Sequence, residues 1–278
     1  MNMIGRALNF IKLKLQEEFY SYLWKLDYQN IKKNNLKKIK TLKGEKRTCF
    51  ILGNGSSLNL IDEKDLSNSF TIASNSFHIF MKEKKIKPDL YLLEDDLAIE
   101  NNFSETLKTD EETNICVPIA LSKKYRLKAK NLINLNYKKT YGYPQYKKNP
   151  KLSFQLEEEC FFSETVTYFA LQIAGYLNFE KIFLVGIDLD YKFPSKVKKV
   201  GKNKFITIGE DRNHFSSKYN SNKPWYLPNI EKMKFSIELA CNELIRKDVK
   251  IYNISNISNF KNVENIDNKY IEKFLAND

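Results

Sequence analysis

The side chains best suited to chemistry in this sequence stand at the ends of apolar runs. CFIL passes into Gly53-Asn54-Gly55-Ser56-Ser57, FTIA ends in Ser74-Asn75, LYLL ends in Glu94-Asp95-Asp96, and IFLVGI ends in Asp188. One of the two histidines, His214, follows in the polar stretch GEDRNHFSSKY. Glycines at 53 and 55 let backbone N–H groups come close to a ligand, and a helix start just beyond favours an anion. A plain turn would use the same residues. The loop lacks the Gly-Lys-Ser/Thr of a P-loop, and Leu58 stands where a dinucleotide fingerprint has its third glycine.

A histidine in a polar loop titrates near neutral pH and suits a general base, although an exposed loop histidine has the same signature. The other histidine, His78 in ASNSFHIF, follows a strand end and is expected to pack against the sheet. The acidic triplet admits three readings. It could hold a hard divalent cation through oxygens, accept hydrogen bonds from sugar or ribose hydroxyls, or cap a helix.

These groups must be positioned by the runs that precede them. Seven short apolar, β-branched segments read as strands: CFILG, FTIASN, LYLLED, ICVPIA, NLINL, IFLVGID and VKIYNIS. Several are apolar on both faces, as buried parallel strands are. Helical patterns lie between them, most clearly over 163–178, opening with Ser163 as N-cap, and over 228–248, opening with Pro228 and Asn229. The alternation predicts a doubly wound α/β fold with a mostly parallel sheet flanked by helices. Ligands bind such sheets outside the carboxyl ends of the strands, so the polar ends would converge on one crevice. The segment 190–227 has little periodicity and is expected to be an irregular lid or binding loop.

Residues 1–47 differ in character. Ile4, Leu8, Ile11, Leu15, Phe19 and Leu23 recur near a 3.6 period, Tyr20, Tyr22, Trp24 and Tyr28 crowd the same stretch, and a lysine-rich run follows. The expected organisation is a basic amphipathic helical extension over 1–47 and one α/β domain over 48–278. A membrane-surface helix over residues 1–40 and a helix packed on the domain both satisfy this pattern.

The net charge is +12, but only five of the 46 basic residues are arginine, and arginine is the residue that reads phosphates and bases bidentately. Residues 1–48 carry 12 Lys/Arg and four Asp/Glu, so +8 of the charge lies there and the remaining 230 residues are near balance. A nucleic-acid partner is therefore not expected. No apolar run approaches bilayer length, no secretory leader is read at the N-terminus, and none of the four cysteines lies in a CxxC pair, which together point to a cytoplasmic protein with reduced thiols.

In order along the chain, FILGNGSSLNLID, FTIASNSFHIF, TVTYFALQIAGYLNFEKIFLVGIDLDY and NHFSSKY resemble the bacterial lipooligosaccharide sialyltransferases. They are similar as well to the related glycosyltransferase-like proteins that share a domain with archaeal pterin diphosphokinases. The resemblance covers roughly residues 48–255. It implies a single Rossmann-like, GT-A-like domain with a lid that moves a sugar from a CMP-sugar to a surface glycan of the lipooligosaccharide or capsule kind.

By that resemblance Gly53, Asn54, Gly55, Ser57, Asn75 and Asp188 bind the nucleotide. Tyr191 and Tyr219 steady the leaving phosphate, and Thr165 lies near the donor sugar with Glu94 and Asp95. His214 takes the acceptor proton. No cofactor is required for this reaction. The alternative, diphosphate transfer from ATP, would use magnesium held by Glu94, Asp95 and Asp188, or by Asp95 and Asp96. The chain departs from the sialyltransferases at two places. Glu94 and Asp95 stand where they carry asparagine, and Phe162 stands where they carry an arginine, a residue suited to a carboxylate. The acceptor would be a glycan or glycolipid, met peripherally on the inner face of the cytoplasmic membrane.

Overall fold

The structure, a computed structural model, describes residues 3–26, 31–138, 150–220, 222–255 and 257–275. Two helices open the chain, α1 (Met3–Leu26) and α2 (Ile31–Lys43). The predicted strands follow as β1 (Thr48–Leu52), β2 (Phe70–Ser74), β3 (Leu90–Leu92), β4 (Ile115–Pro118) and β5 (Leu132–Leu135). Helices α3 (His78–Lys84), α4 (Asp96–Thr109) and α5 (Ile119–Lys124) lie between them. Two short strands, β6 (Tyr137–Lys138) and β7 (Cys160–Phe161), pair beside α6 (Val166–Tyr176), which leads into β8 (Lys181–Val185). After the lid come α7 (Ile230–Ile245), β12 (Lys250–Ile254), β13 (Glu264–Asn265) and α8 (Ile271–Leu275).

Among the described residues the main sheet has eight strands in the order β13-β12-β8-β1-β2-β3-β4-β5, parallel throughout. β1, β2 and β8 are buried at every position, which explains their unbroken apolar runs. One face is covered by α2, α6 and α7 through Leu36, Ile39, Phe169, Ile173, Ile237 and Leu244. The other is covered by α3, α4 and α8 through Phe80, Met81, Ile99 and Ile271. The four cysteines are free and buried.

The strand order runs outward from β1 to β5, then returns to the other side of β1 with β8. The sheet therefore has its switch point between β1 and β8, where successive connections leave in opposite directions and open a crevice.

Three expectations are corrected. The α6 N-cap is Thr165, not Ser163: the Ser163 hydroxyl bonds to that of Ser236 on α7, and Glu164 takes a positive φ of 51°, so the helix starts two residues later. The segment 190–227 is not wholly irregular. It holds an antiparallel three-stranded sheet of β9 (Val197–Gly201), β10 (Lys204–Thr207) and β11 (Pro224–Tyr226). These strands are short and mostly solvent-facing, so they carry little of the apolar alternation that marks a buried strand.

The N-terminal stretch, read as one, forms α1 and α2 among the described residues, and both are packed on the domain. Trp24, Leu36 and Ile39 belong to the core, and Asn35 Nδ2 donates to the Asn134 carbonyl on β5 at 3.1 Å.

Candidate active site

The crevice at the switch point has a volume of about 780 Å³ and is lined from the four polar strand ends. Its floor is the pair of loops leaving β1 and β8. Gly53 N–H donates to the Val185 carbonyl and Gly55 N–H to the Gly186 carbonyl, both at 2.7 Å. A Cβ on Gly53 would lie 2.3 Å from the Gly186 oxygen, and one on Gly55 would lie 2.4 Å from Asp188 Oδ2. Both glycines are thus required by the contact between the two loops. This corrects the expectation that their N–H groups face a ligand: β8 has taken them.

Asp188 lines the crevice, yet its carboxylate is spent on holding the floor together. It accepts from Ser57 N–H at 2.9 Å, from the Ser57 hydroxyl, from Ser56 Oγ at 3.2 Å and from Ser255 Oγ at 2.8 Å. Ser57 faces Asp188 in turn, so these two residues fix the loop and do not project from it.

Asn54 has bonding capacity to spare. Its Nδ2 donates to the Ser74 carbonyl at 3.1 Å, while its Oδ1 is buried without a partner and its backbone N–H has none among the described residues. Buried polar groups left unpaired cost free energy, so an unpaired group lining a crevice marks where a ligand can pair with it.

The lid is tied to this loop. Phe215 N–H donates to the Asn54 carbonyl at 3.0 Å, and Asn59 Nδ2 donates to the Phe215 carbonyl at 3.0 Å. The residue before, His214, lines the crevice. Its Nδ1 lies 2.8 Å from Asp211 Oδ1, and its ring stacks on Tyr219 with centroids 3.8 Å apart. Burial pushes the Asp211 carboxyl up, but the His214 ring, the Asn213 N–H and the Asn220 side chain together hold it below the usual carboxylate range. A buried carboxylate at Nδ1 orients the ring and leaves Nε2 as the nitrogen able to take a proton.

The two lid tyrosines part company. Tyr191 has a buried hydroxyl without a partner, and burial, with the Asp211 charge behind it, raises its pKa. The Tyr219 hydroxyl is instead engaged by the Ser76 backbone and the Asn75 side chain. This corrects the phosphate role expected of Tyr219: it is the shelf under His214. Asn75 lines the crevice with a positive φ of 55°, a conformation asparagine tolerates better than most residues, and its carbonyl accepts from the Tyr91 hydroxyl.

On the far wall, Thr165 Oγ1 accepts from Thr167 N–H at 3.3 Å, so the α6 N-terminus opens on the crevice beside the loops. Glu94 is buried and accepts from the Tyr137 hydroxyl at 2.5 Å. Burial and then the Glu94 charge push the Tyr137 phenol up. Asp95 is the α4 N-cap, accepting from Ala98 N–H at 2.8 Å, and Asp96 is bound by Lys124 at 2.5 Å and by the Tyr125 hydroxyl at 2.9 Å. Among the described residues no group of three His, Cys, Asp or Glu side chains is placed to hold a metal ion.

Sequence reasoning missed Asp211, Lys223 and Trp225. Asp211 stands three residues before His214 in the same loop, which was the available signal. Trp225 is one of two tryptophans; it stacks on Phe205 at 5.4 Å and donates through Nε1 to Thr207 Oγ1 at 2.9 Å. Lys223 is a half-buried cation of the crevice wall, its pKa lowered by burial.

The architecture has known counterparts. The MAf glycosyltransferase from Magnetospirillum magneticum AMB-1 superposes with a TM-score of 0.51 at 14% identity, over 83% of this chain but only 36% of that one. The sialyltransferase CstII from Campylobacter jejuni superposes with a TM-score of 0.43 at 16% identity, over 80% of this chain and 87% of that one. No curated protein matches the chain in sequence. The 6-hydroxymethylpterin diphosphokinase MptE-like family matches residues 27–193, from just before α2 through the loop that follows β8, and the chain belongs to that family.

Proposed function

We propose that the chain is a glycosyltransferase of the sialyltransferase-like kind. It moves a sugar from a nucleotide-activated donor, a CMP-sugar, to a hydroxyl of a surface glycan or glycolipid on the inner face of the cytoplasmic membrane. The observation that carries this reading is the placement of His214. It is held by Asp211, stacked on Tyr219 and joined through Phe215 to the Asn54 loop at the switch point.

In this reaction the acceptor oxygen forms a bond to the anomeric carbon. The bond from that carbon to the donor phosphate breaks, and its electron pair leaves with the nucleotide. Nε2 of His214 takes the acceptor proton, and Asp211 stabilises the imidazolium that results. Asn54, the α6 N-terminus, Lys223 and the Tyr191 hydroxyl are the donors and positive poles available to the departing phosphate. Glu94 and Asp95 carry oxygens that can accept from sugar hydroxyls and would repel a phosphate, which favours the β3 end for the sugar over the phosphate. The fold shared with the MAf glycosyltransferase supports the same reading.

A second reading follows from the family and from the acidic β3 end: magnesium-dependent diphosphate transfer from ATP. A thermal-shift panel of CMP, CDP, UDP, GDP and ATP, each with and without magnesium, separates the two. A ligand at a hundred times its Kd adds about 2.7 kcal/mol of stability. Stabilisation by CMP without metal is expected. Stabilisation only by ATP with magnesium would replace the first reading by the second.

A further inference from the structure

Near its C-terminal end α1 is buried on one side, and the opposite side is bare. There Trp24 is 1% exposed and donates through Nε1 to the Glu157 carbonyl at 3.3 Å, and the buried Ser21 hydroxyl donates to Asn136 Oδ1 at 3.4 Å. Leu8, Ile11, Leu15, Phe19, Tyr22 and Leu26 are each more than half exposed, from 52% to 65%. Their spacing of three and four places them on a single stripe. At 3.6 residues per turn that stripe lies on the side of the helix away from Ser21 and Trp24. The domain therefore uses one face of α1 and leaves a long apolar face to something else.

Charge identifies what that is. Exposed Lys12 flanks the stripe on one side, and exposed Lys14 and Lys25 flank it on the other, where exposed Glu18 is the one acidic residue beside them among the described side chains. The exposed lysines Lys33, Lys37 and Lys40 follow on α2. α1 also packs against α5, and the last turn of α5 and the segment after it bring Lys123, Arg126 and Lys128 to a cleft of about 320 Å³. These three cations have no ion pair among the described residues, whereas their neighbours Lys124 and Lys130 are bound by Asp96 and Glu112. A second copy of the chain would bring the same positive charge to a shared helix seam. An anionic lipid surface complements both the charge and the apolar stripe, and Phe19 and Tyr22 are the aromatics that settle at its boundary.

We propose that α1 lies in the surface of an anionic bilayer, its Leu8–Leu26 stripe at the acyl boundary and Lys12, Lys14, Lys25, Lys123, Arg126 and Lys128 against lipid phosphates. The helix lies on the membrane and does not cross it: among the described residues no helix is long and apolar enough to do so. The inference is independent of the chemistry in the crevice.

The test is co-sedimentation of the full chain with vesicles of phosphatidylcholine alone or with a third phosphatidylglycerol, at low and high salt. Binding is expected to the anionic vesicles only and to fall with salt. Leu15→Glu with Phe19→Glu should abolish it. Lys123→Ala with Arg126→Ala should weaken it by about fivefold per cation, corresponding to about 1 kcal/mol each. These side chains are exposed or outside the core, and an unchanged thermal midpoint checks that the variants fold. Two results would overturn the proposal. One is equal binding to neutral vesicles. The other is no binding at all, together with a dimer in sedimentation equilibrium that Leu15→Glu dissociates, which would give the stripe to a second copy.

Discussion

Asp188, just beyond the end of β8, reaches the backbone N–H of Ser57, beyond the end of β1, at 2.9 Å. Together with the Gly53 and Gly55 N–H bonds to Val185 and Gly186, this contact joins two loops whose following connections leave in opposite directions. It lets a crevice opened by topology have a rigid floor, and it explains why three serines surround the carboxylate.

Asp188→Asn should therefore act on stability first. A hydrogen bond to a buried charge is worth about 1.5–3 kcal/mol, and the amide keeps the shape while losing the charge. The expected outcome is a loss of about 2–3 kcal/mol in urea unfolding. Unchanged stability would mean that the serines do not depend on the charge.

Asn54→Ala should act in the opposite sense. It removes one hydrogen bond to Ser74, costing about 1 kcal/mol, and deletes the unpaired Oδ1. Nucleotide stabilisation in the thermal-shift assay is expected to fall by far more than the fold does. Full retention of the ligand shift would remove Asn54 from the binding site.

His214→Ala should lower the transfer rate by about 10²- to 10⁴-fold, the range for a positioned proton-transfer group. Asp211→Asn should lower kcat with little change in KM, because the amide no longer stabilises the protonated ring. Tyr219→Phe keeps the stacking surface and should stay near full rate. Steady-state kinetics on the three variants reads this pattern, and a fully active Asp211→Asn would separate the carboxylate from the histidine's work.

His78 supplies a pH dependence unrelated to catalysis. It is 3% exposed, its Nδ1 has no partner, and burial, then Lys223 and Lys82, lowers its pKa to about 4. Between that value and the ordinary 6.5 the unfolded chain binds the proton and the folded chain does not. Stability from this group is therefore complete above pH 6.5 and falls as the pH drops toward 4, by at most about 3 kcal/mol. Urea unfolding at pH 7 and pH 4.5 measures the slope, and His78→Leu should flatten it.

The polar ends of CFIL, FTIA, LYLL and IFLVGI were legible in the sequence because buried parallel strands are apolar on both faces and break sharply where they leave the core. The fold class and the gathering of Asn54, Asn75 and Glu94 at one crevice follow from that pattern, whereas His214 lies in the lid, outside it. What each polar side chain does there was decided by packing. Gly53 and Gly55 look like an anion cradle until β8 lies against them and takes their N–H groups. Asp188 looks like a ligand-binding acid until Ser57 closes on it, and Tyr219 looks like a phosphate donor until His214 stacks upon it. Sequence periodicity records which face of an element is buried. The partner that a buried donor or acceptor finds comes from segments more than a hundred residues away, as Ser57 and Asp188 are, and only the tertiary structure brings them together.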